Sequence, residues 1–243
     1  MKEESAMAHV VALEGAVGRI CLLGLAVQIL LSACAVAQSP QASTNQQTPL
    51  MGFRIVTRNP DALEWLIIQN TNAYEEGFTE AWAGLRNVLW KNRNPESETG
   101  VAGLLEFDTI KAVYLHGHKH PDLISPDNWN MDYRFMERPN ARRVQMDLFY
   151  DYRTNVALYP QWQKFLRDGQ PLTLIFWGQD DIFFTREGGE AYLRDLPEAE
   201  MHRLDSGHFA VEDCLEEIAT NIERFYNEKV KPGAHRLVSK RAG

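Results

Sequence analysis

Leu172-Thr173-Leu174-Ile175-Phe176-Trp177-Gly178-Gln179-Asp180-Asp181 is the stretch whose reading decides the fold. It runs apolar and β-prone without polar alternation, entered by Pro171 and closed by Gly178, as a strand buried on both faces does. An acid pair follows at once. Downstream, Met201 to Asp205 (MHRLD) gives a shorter strand, followed by Ser206-Gly207-His208-Phe209. Upstream, Trp65-Leu66-Ile67-Ile68 is another unbroken apolar run, ending in Gln69-Asn70. Three short strands joined by helical stretches predict an α/β chain with a parallel sheet and right-handed crossovers.

The intervening residues carry helical spacing. A helix is expected over 50–58, stopped by Asn59-Pro60, and another over 75–91, where Phe78, Trp82, Leu85 and Leu89 recur at three- and four-residue steps. Further helices are expected at 96–106, 108–115, 127–136, 139–157, 159–168, 186–194 and 210–228. The core therefore comprises 50–72 and 157–230, with 73–156 inserted between the first and second strands as a helical cap. Residues 231–243 form a basic tail.

The N-terminal part is a separate object. From Ile20 to Phe53 there is no charged residue, and Ile20 to Leu31 is an apolar run interrupted only by Gln28. That length suits a signal-peptide core, whereas a membrane-spanning helix needs roughly 20 apolar residues. Leu31-Ser32-Ala33-Cys34 resembles a lipobox, which would make Cys34 a lipidation site and a membrane anchor; Ala35-Val36-Ala37 offers an ordinary cleavage site instead. A retained anchor helix within 1–37 is the third reading. Residues 38–49, polar, uncharged and with two prolines, form a tether. Export or anchoring follows if this segment is processed, and a cytoplasmic location if it is not.

Composition excludes several classes. With 25 Lys+Arg against 33 Asp+Glu the formal charge is −8, which argues against nucleic acid as a partner. Three cysteines cannot build a disulfide framework. His116-Gly117-His118-Lys119-His120 lacks a carboxylate or cysteine at a metal-site spacing and reads as a solvated loop, so neither metal nor cofactor is expected.

Open parallel sheets gather active residues at the carboxyl ends of their strands. Asp181 after one strand and His208 after the next have the placement that a carboxylate–imidazole pair needs, the acid fixing the tautomer of the base. Four stretches carry a resemblance: LIIQNTNAYEEGF (66–78), DLFYDYRTNVALYPQWQKFLR (147–167), LIFWGQDDIFF (174–184) and AYLRDLPEAEMHRLDSGHFAVE (191–212). Through them residues 51–230 resemble the second half of the α/β-hydrolase fold, in the branch of haloalkane dehalogenases and epoxide hydrolases. The resemblance implies Asp181 as triad acid and His208 as triad base. Some dehalogenases take the acid from the preceding strand's loop, near Asn70 here, where an amide cannot serve.

The resemblance also implies a nucleophile on a glycine-flanked elbow before 50–58. Gly52-Phe53-Arg54 matches the end of the relatives' D-x-G-G-P-x-G-(Phe/Tyr)-R pattern, and counting back puts Gln46 in the nucleophile slot, with Thr48 and Pro49 in place of glycines. A glutamine amide is not a nucleophile. Ser39, Ser43 and Thr44 lie in the tether, Ser206 has no such role in the family, and Cys214 reads as an ordinary buried thiol. The expected function is thus hydrolysis of a small organic molecule such as a haloalkane, epoxide or ester, in a chain that keeps the acid and histidine but lacks the nucleophile and is truncated or inactive. The alternative is a non-catalytic exported or lipid-anchored binding protein. The first strand's unpartnered side is expected to favour self-association.

Overall fold

The computed structural model describes residues 51–232 together with Cys21–Leu23. Its sheet is parallel throughout, in the order β1 (Cys21–Leu23), β2 (Leu66–Gln69), β3 (Thr173–Gly178), β4 (Glu200–Leu204). The three expected strands are β2, β3 and β4, with Ile68 opposite Ile175 and Phe176 opposite His202.

The side expected to be bare is covered: Cys21, Leu22 and Leu23 pair with Leu66, Ile67 and Ile68. Part of the apolar run read as an export signal thus supplies a strand, its backbone groups pairing with those that β2 would otherwise leave open at the sheet edge. Gln46, Cys34, the Ala35–Ala37 site, the tether and the tail beyond residue 232 lie outside the described residues.

Because side chains alternate across a strand, β2 and β3 feed two apolar layers. Leu66, Ile68, Ile175 and Trp177 face Phe53, Trp162 and Tyr192. Phe53, in the helix Met51–Val56, stacks on Trp162 at 5.0 Å between ring centroids. Trp65, Ile67, Leu174 and Phe176 face the final helix Leu215–Phe225, where Phe225 stacks on Trp65 at 5.7 Å. Helices therefore cover both faces, as buried parallel strands require.

Between β2 and β3 the chain builds a helical insertion. Its main helices are Pro95–Val101, started by a reciprocal cap between Asn94 and Ser97, then Phe107–Leu115, Pro126–Met136, Ala141–Asp151 and Tyr159–Gly169. The helix expected over 75–91 is replaced by a 3-10 turn at Glu80–Trp82 and a wide π turn at Leu85–Leu89. Phe78 is drawn into an antiparallel bridge with Phe184, and the Thr79 hydroxyl donates to Ile182 O at 2.6 Å, so the segment starts tied to the loop after β3. The helix expected over 139–157 breaks at Tyr152, whose ring is buried against Trp82 at 4.6 Å. Among the described residues no helix is long and apolar enough to cross a membrane.

Candidate active site

Asp181 and His208 stand on the turns that follow β3 and β4. These turns continue the pairing of their strands: Gln179 N donates to Leu204 O at 3.0 Å and Asp180 N to Ser206 O at 3.1 Å. Gly178 permits this approach, since a Cβ there would lie 2.0 Å from Gly207 O. The result is a 2.8 Å contact between Asp181 Oδ2 and His208 Nδ1, both side chains buried. An ionised carboxylate only accepts, so the imidazole donates from Nδ1 and carries its free lone pair on Nε2.

Asp181 is held on both oxygens. Oδ1 accepts from Phe183 N at 2.7 Å, and Oδ2 accepts from Asn70 Nδ2 at 2.7 Å as well as from His208. Asn70 is itself fixed by the neighbouring strand: its Oδ1 accepts from Gly178 N at 2.9 Å and its Nδ2 donates to Gly178 O at 3.2 Å. It sits at φ +41°, in the left-handed region that asparagine tolerates better than most residues. The residue set aside because it is not a carboxylate thus orients the carboxylate. Sequence reasoning missed this role; the available signal was an amide at the carboxyl end of a buried strand, paired in register with the strand that carries the acid.

The imidazole is walled by aromatics. Phe183 meets it edge-on at 5.0 Å, Phe209 at 5.1 Å, and Phe184 lies at 6.0 Å. Beyond Phe183 opens a small apolar cavity of about 70 Å³, lined by Trp82, Leu85, Leu105, Ile110 and Phe149 among others. Low polarity strengthens every electrostatic contact on this side.

A second polar group stands within the aromatic mass. The hydroxyls of Tyr152 and Tyr159 are buried with no well-formed hydrogen bond, though each lies near enough to influence the ionisation of the other. Burial raises the pKa of both phenols; for Tyr152 the Asp181 carboxylate also pushes upward, against a lowering by Tyr159. Both therefore stay protonated and able to donate.

Two expectations about individual residues are settled here. The 116–120 segment is not uniformly solvated: His116 and His120 are exposed, but His118 is buried, with Nδ1 3.0 Å from Asp213 Oδ1. No apolar periodicity in 116–120 announces this; only Gly117, at φ +74°, marks the turn that sends His118 inward. Among the described residues no three His, Cys, Asp or Glu side chains are grouped to hold a metal ion. Cys214 is partly buried, and burial, followed by the Asp213 charge, pushes its thiol up to about 11, the wrong direction for a nucleophile.

A parallel sheet with a buried carboxylate–imidazole contact on its last two turns is an arrangement that hydrolytic enzymes use. No protein-family model matches the chain. It is 31% identical over 181 residues to an uncharacterized hydrolase of Saccharomyces cerevisiae, a match covering 73% of this chain and 62% of that one. It is 27% identical over 196 residues to a cis-3-alkyl-4-alkyloxetan-2-one decarboxylase of Shewanella oneidensis, covering 74% and 57% respectively. Among solved structures it superposes on the epoxide hydrolase CorEH with a TM-score of 0.53 at 15% identity, covering 72% of this chain and 63% of the other. The chain has the α/β-hydrolase fold over the part that superposes. It spans about three fifths of the length of the curated relatives it matches.

Proposed function

We propose that the insertion between β2 and β3 is the cap of an epoxide-hydrolase-type enzyme and that Asp181 and His208 are its acid–base pair, in a chain that lacks its own nucleophile. The observation that carries the reading is the buried 2.8 Å contact between Asp181 and His208 at the carboxyl ends of adjacent strands. The two buried, protonated phenols, with no partner beyond each other, favour an epoxide over a haloalkane or ester, because opening an epoxide creates an alkoxide that needs a donor. In a complete site, a carboxylate nucleophile would attack the epoxide carbon, breaking its C–O bond, and a phenol would protonate the departing oxygen. His208 Nε2 would then take a proton from water as it attacks the ester carbonyl and give it to the departing diol oxygen, while the proton of the carboxylic acid so formed returns to the phenolate and restores the carboxylate.

The slot for that nucleophile is held by Gln46, outside the described residues. Losing a nucleophile of this kind costs on the order of 10⁶ in rate. The 243-residue chain is therefore expected to turn over no epoxide, haloalkane or simple ester above buffer background. Saturable hydrolysis that disappears in His208→Ala would overturn this. Binding survives where turnover does not: an amide analogue of an epoxide, its carbonyl accepting from both phenols, should quench Trp82 and Trp90 fluorescence. Tyr152→Phe should weaken that binding about tenfold, the effect of one well-placed hydrogen bond.

The same cavity supports, as a second reading, a non-catalytic protein that retains apolar molecules, since its lining is almost wholly apolar. Export or anchoring through Cys34 would be visible as the intact mass of the mature protein. Self-association would proceed along the outer side of β1 rather than β2, and sedimentation velocity tests it.

A further inference from the structure

Between Tyr114 and Asn128 the helical insertion grips the segment that carries His208 along its length. Lys119 Nζ pairs with Asp205 Oδ2 at 2.6 Å, the Tyr114 ring lies 4.5 Å from that of Phe209, and Asn128 Nδ2 donates to Glu212 Oε2 at 2.8 Å. At the centre of this grip is a buried cluster. His118 Nδ1 is hydrogen-bonded to Ser206 Oγ at 3.2 Å, Ser206 Oγ donates to Asp213 Oδ1 at 2.6 Å, and His118 Nδ1 lies 3.0 Å from that same carboxylate oxygen. The His118 and Asp213 side chains are wholly excluded from solvent.

Stability is a poor account of such a cluster. Taking a carboxylate and an imidazole out of water costs about what their attraction returns, and an apolar pair of equal volume commonly does as well. Here the pairing is also incomplete, for His118 Nε2 and Asp213 Oδ2 find no partner in the protein. What the cluster does supply is position. Gly207 is wedged against it: a Cβ there would fall 2.0 Å from His116 O and 2.9 Å from His118 Cδ2. On its other side, Gly207 O closes on Gly178, the last residue before the Asp181 turn. Ser206 and Gly207 are thus clamped between the acid-bearing turn and His118, and His208 is the next residue.

We infer that His118 is a positioning residue for His208: through Ser206 and Asp213 it fastens the insertion to the histidine loop and keeps the imidazole within reach of Asp181. The inference rests on reading Asp181 and His208 as an acid–base pair. Small displacements are enough to matter, because a proton relay fails when its partners drift by about 1 Å. The coupling has a mechanical consequence, since any movement of the 114–119 segment is transmitted to the base.

The test reads the proton that joins the pair. In ¹⁵N-labelled full-length chain, the His208 Nδ1 proton should appear far downfield and exchange slowly, and vanish in Asp181→Asn. Ser206→Ala and His118→Ala should each speed its exchange at least about fivefold, as expected when one buried hydrogen bond is lost, while amide signals of β2 and β3 stay in place. His118→Gln, whose amide can donate to Ser206 Oγ or Asp213, should recover most of the protection. Should His118→Ala unfold the chain, Ser206→Ala decides alone. A wild-type proton that persists unchanged in a folded Ser206→Ala or His118→Ala variant overturns the inference and leaves the acid–base reading intact. A wild-type chain with no such proton overturns both.

Discussion

Removing the Asn70 side chain is the sharpest perturbation of the site, because one amide holds both the acid and the strand that bears it. In Asn70→Ala the Asp181 carboxylate loses a charge-assisted hydrogen bond of 2.7 Å, worth about 1.5–3 kcal/mol. Gly178 N loses its acceptor in a fully buried setting, which adds about 1–3 kcal/mol. Alanine at φ +41° adds about 1 kcal/mol more. The sum is about 3.5–7 kcal/mol, large for one residue and of the order of a small domain's whole stability. Urea unfolding of the wild type, Asn70→Ala, Asp181→Ala and the double variant isolates the part that belongs to the acid. The two residues should couple by about 1.5–3 kcal/mol, so the double variant loses less than the two single losses together. Additivity to within about 0.5 kcal/mol would refute the claim that Asn70 acts on Asp181, and would leave it a strand-end brace for Gly178 alone.

Three further outcomes follow from the same geometry. Gly207→Ala and Gly178→Ala each drive a Cβ to 2.0 Å from a backbone oxygen, so each should lose about 3 kcal/mol or more; near-native thermal unfolding would contradict the tight approach of the loops. Burial raises the carboxyl pKa of Asp132 and of Glu212, so their contribution to stability is fully present below about pH 4 and is lost as pH rises through the raised values. Combining Asp132→Asn with Glu212→Gln should flatten that fall across pH 4–8 in urea titrations, and an unchanged slope would count against it. The Cys214 thiol, pushed up to about 11, should be alkylated at pH 8 on the order of a hundredfold more slowly than free cysteine, read peptide by peptide in the mass spectrometer; rapid labelling would show a thiolate where burial forbids one.

The parts of the fold legible in sequence were those set by a single dominant force. Leu172–Trp177 and Trp65–Ile68 are strands because nothing polar interrupts them, and β3 and β2 fall within a residue or two of those runs. Asp181 and His208 were legible from their places just after strand signals, and the structure brings them into contact. Residues whose role depends on a distant partner were not legible. Asn70 is paired with residues more than a hundred positions away, and His118 meets Asp213 and Ser206 across a similar separation. The 75–91 segment had perfect helical spacing, yet contacts from Ile182 and Phe184 overrode local preference. The Tyr152–Tyr159 pair was hidden among other aromatics because only burial without a partner distinguishes a donor from a packing ring.

The Asp181–His208 contact is assembled by a closed set of contacts. The hydrogen-bond partners of Asp181 are Asn70, Phe183 and His208; those of Asn70 are Gly178, Phe176 and Asp181; and the histidine loop is clamped by Gly178, His116 and His118. All of these residues lie between 70 and 208, and the strands that bring them together are fixed by apolar layers on both faces of β2 and β3. The geometry of the base therefore does not depend on which residue occupies the nucleophile slot. On the proposed reading, half of a two-step hydrolytic site is pre-organised on its own, and a nucleophile delivered to it would meet a histidine already in the required tautomer.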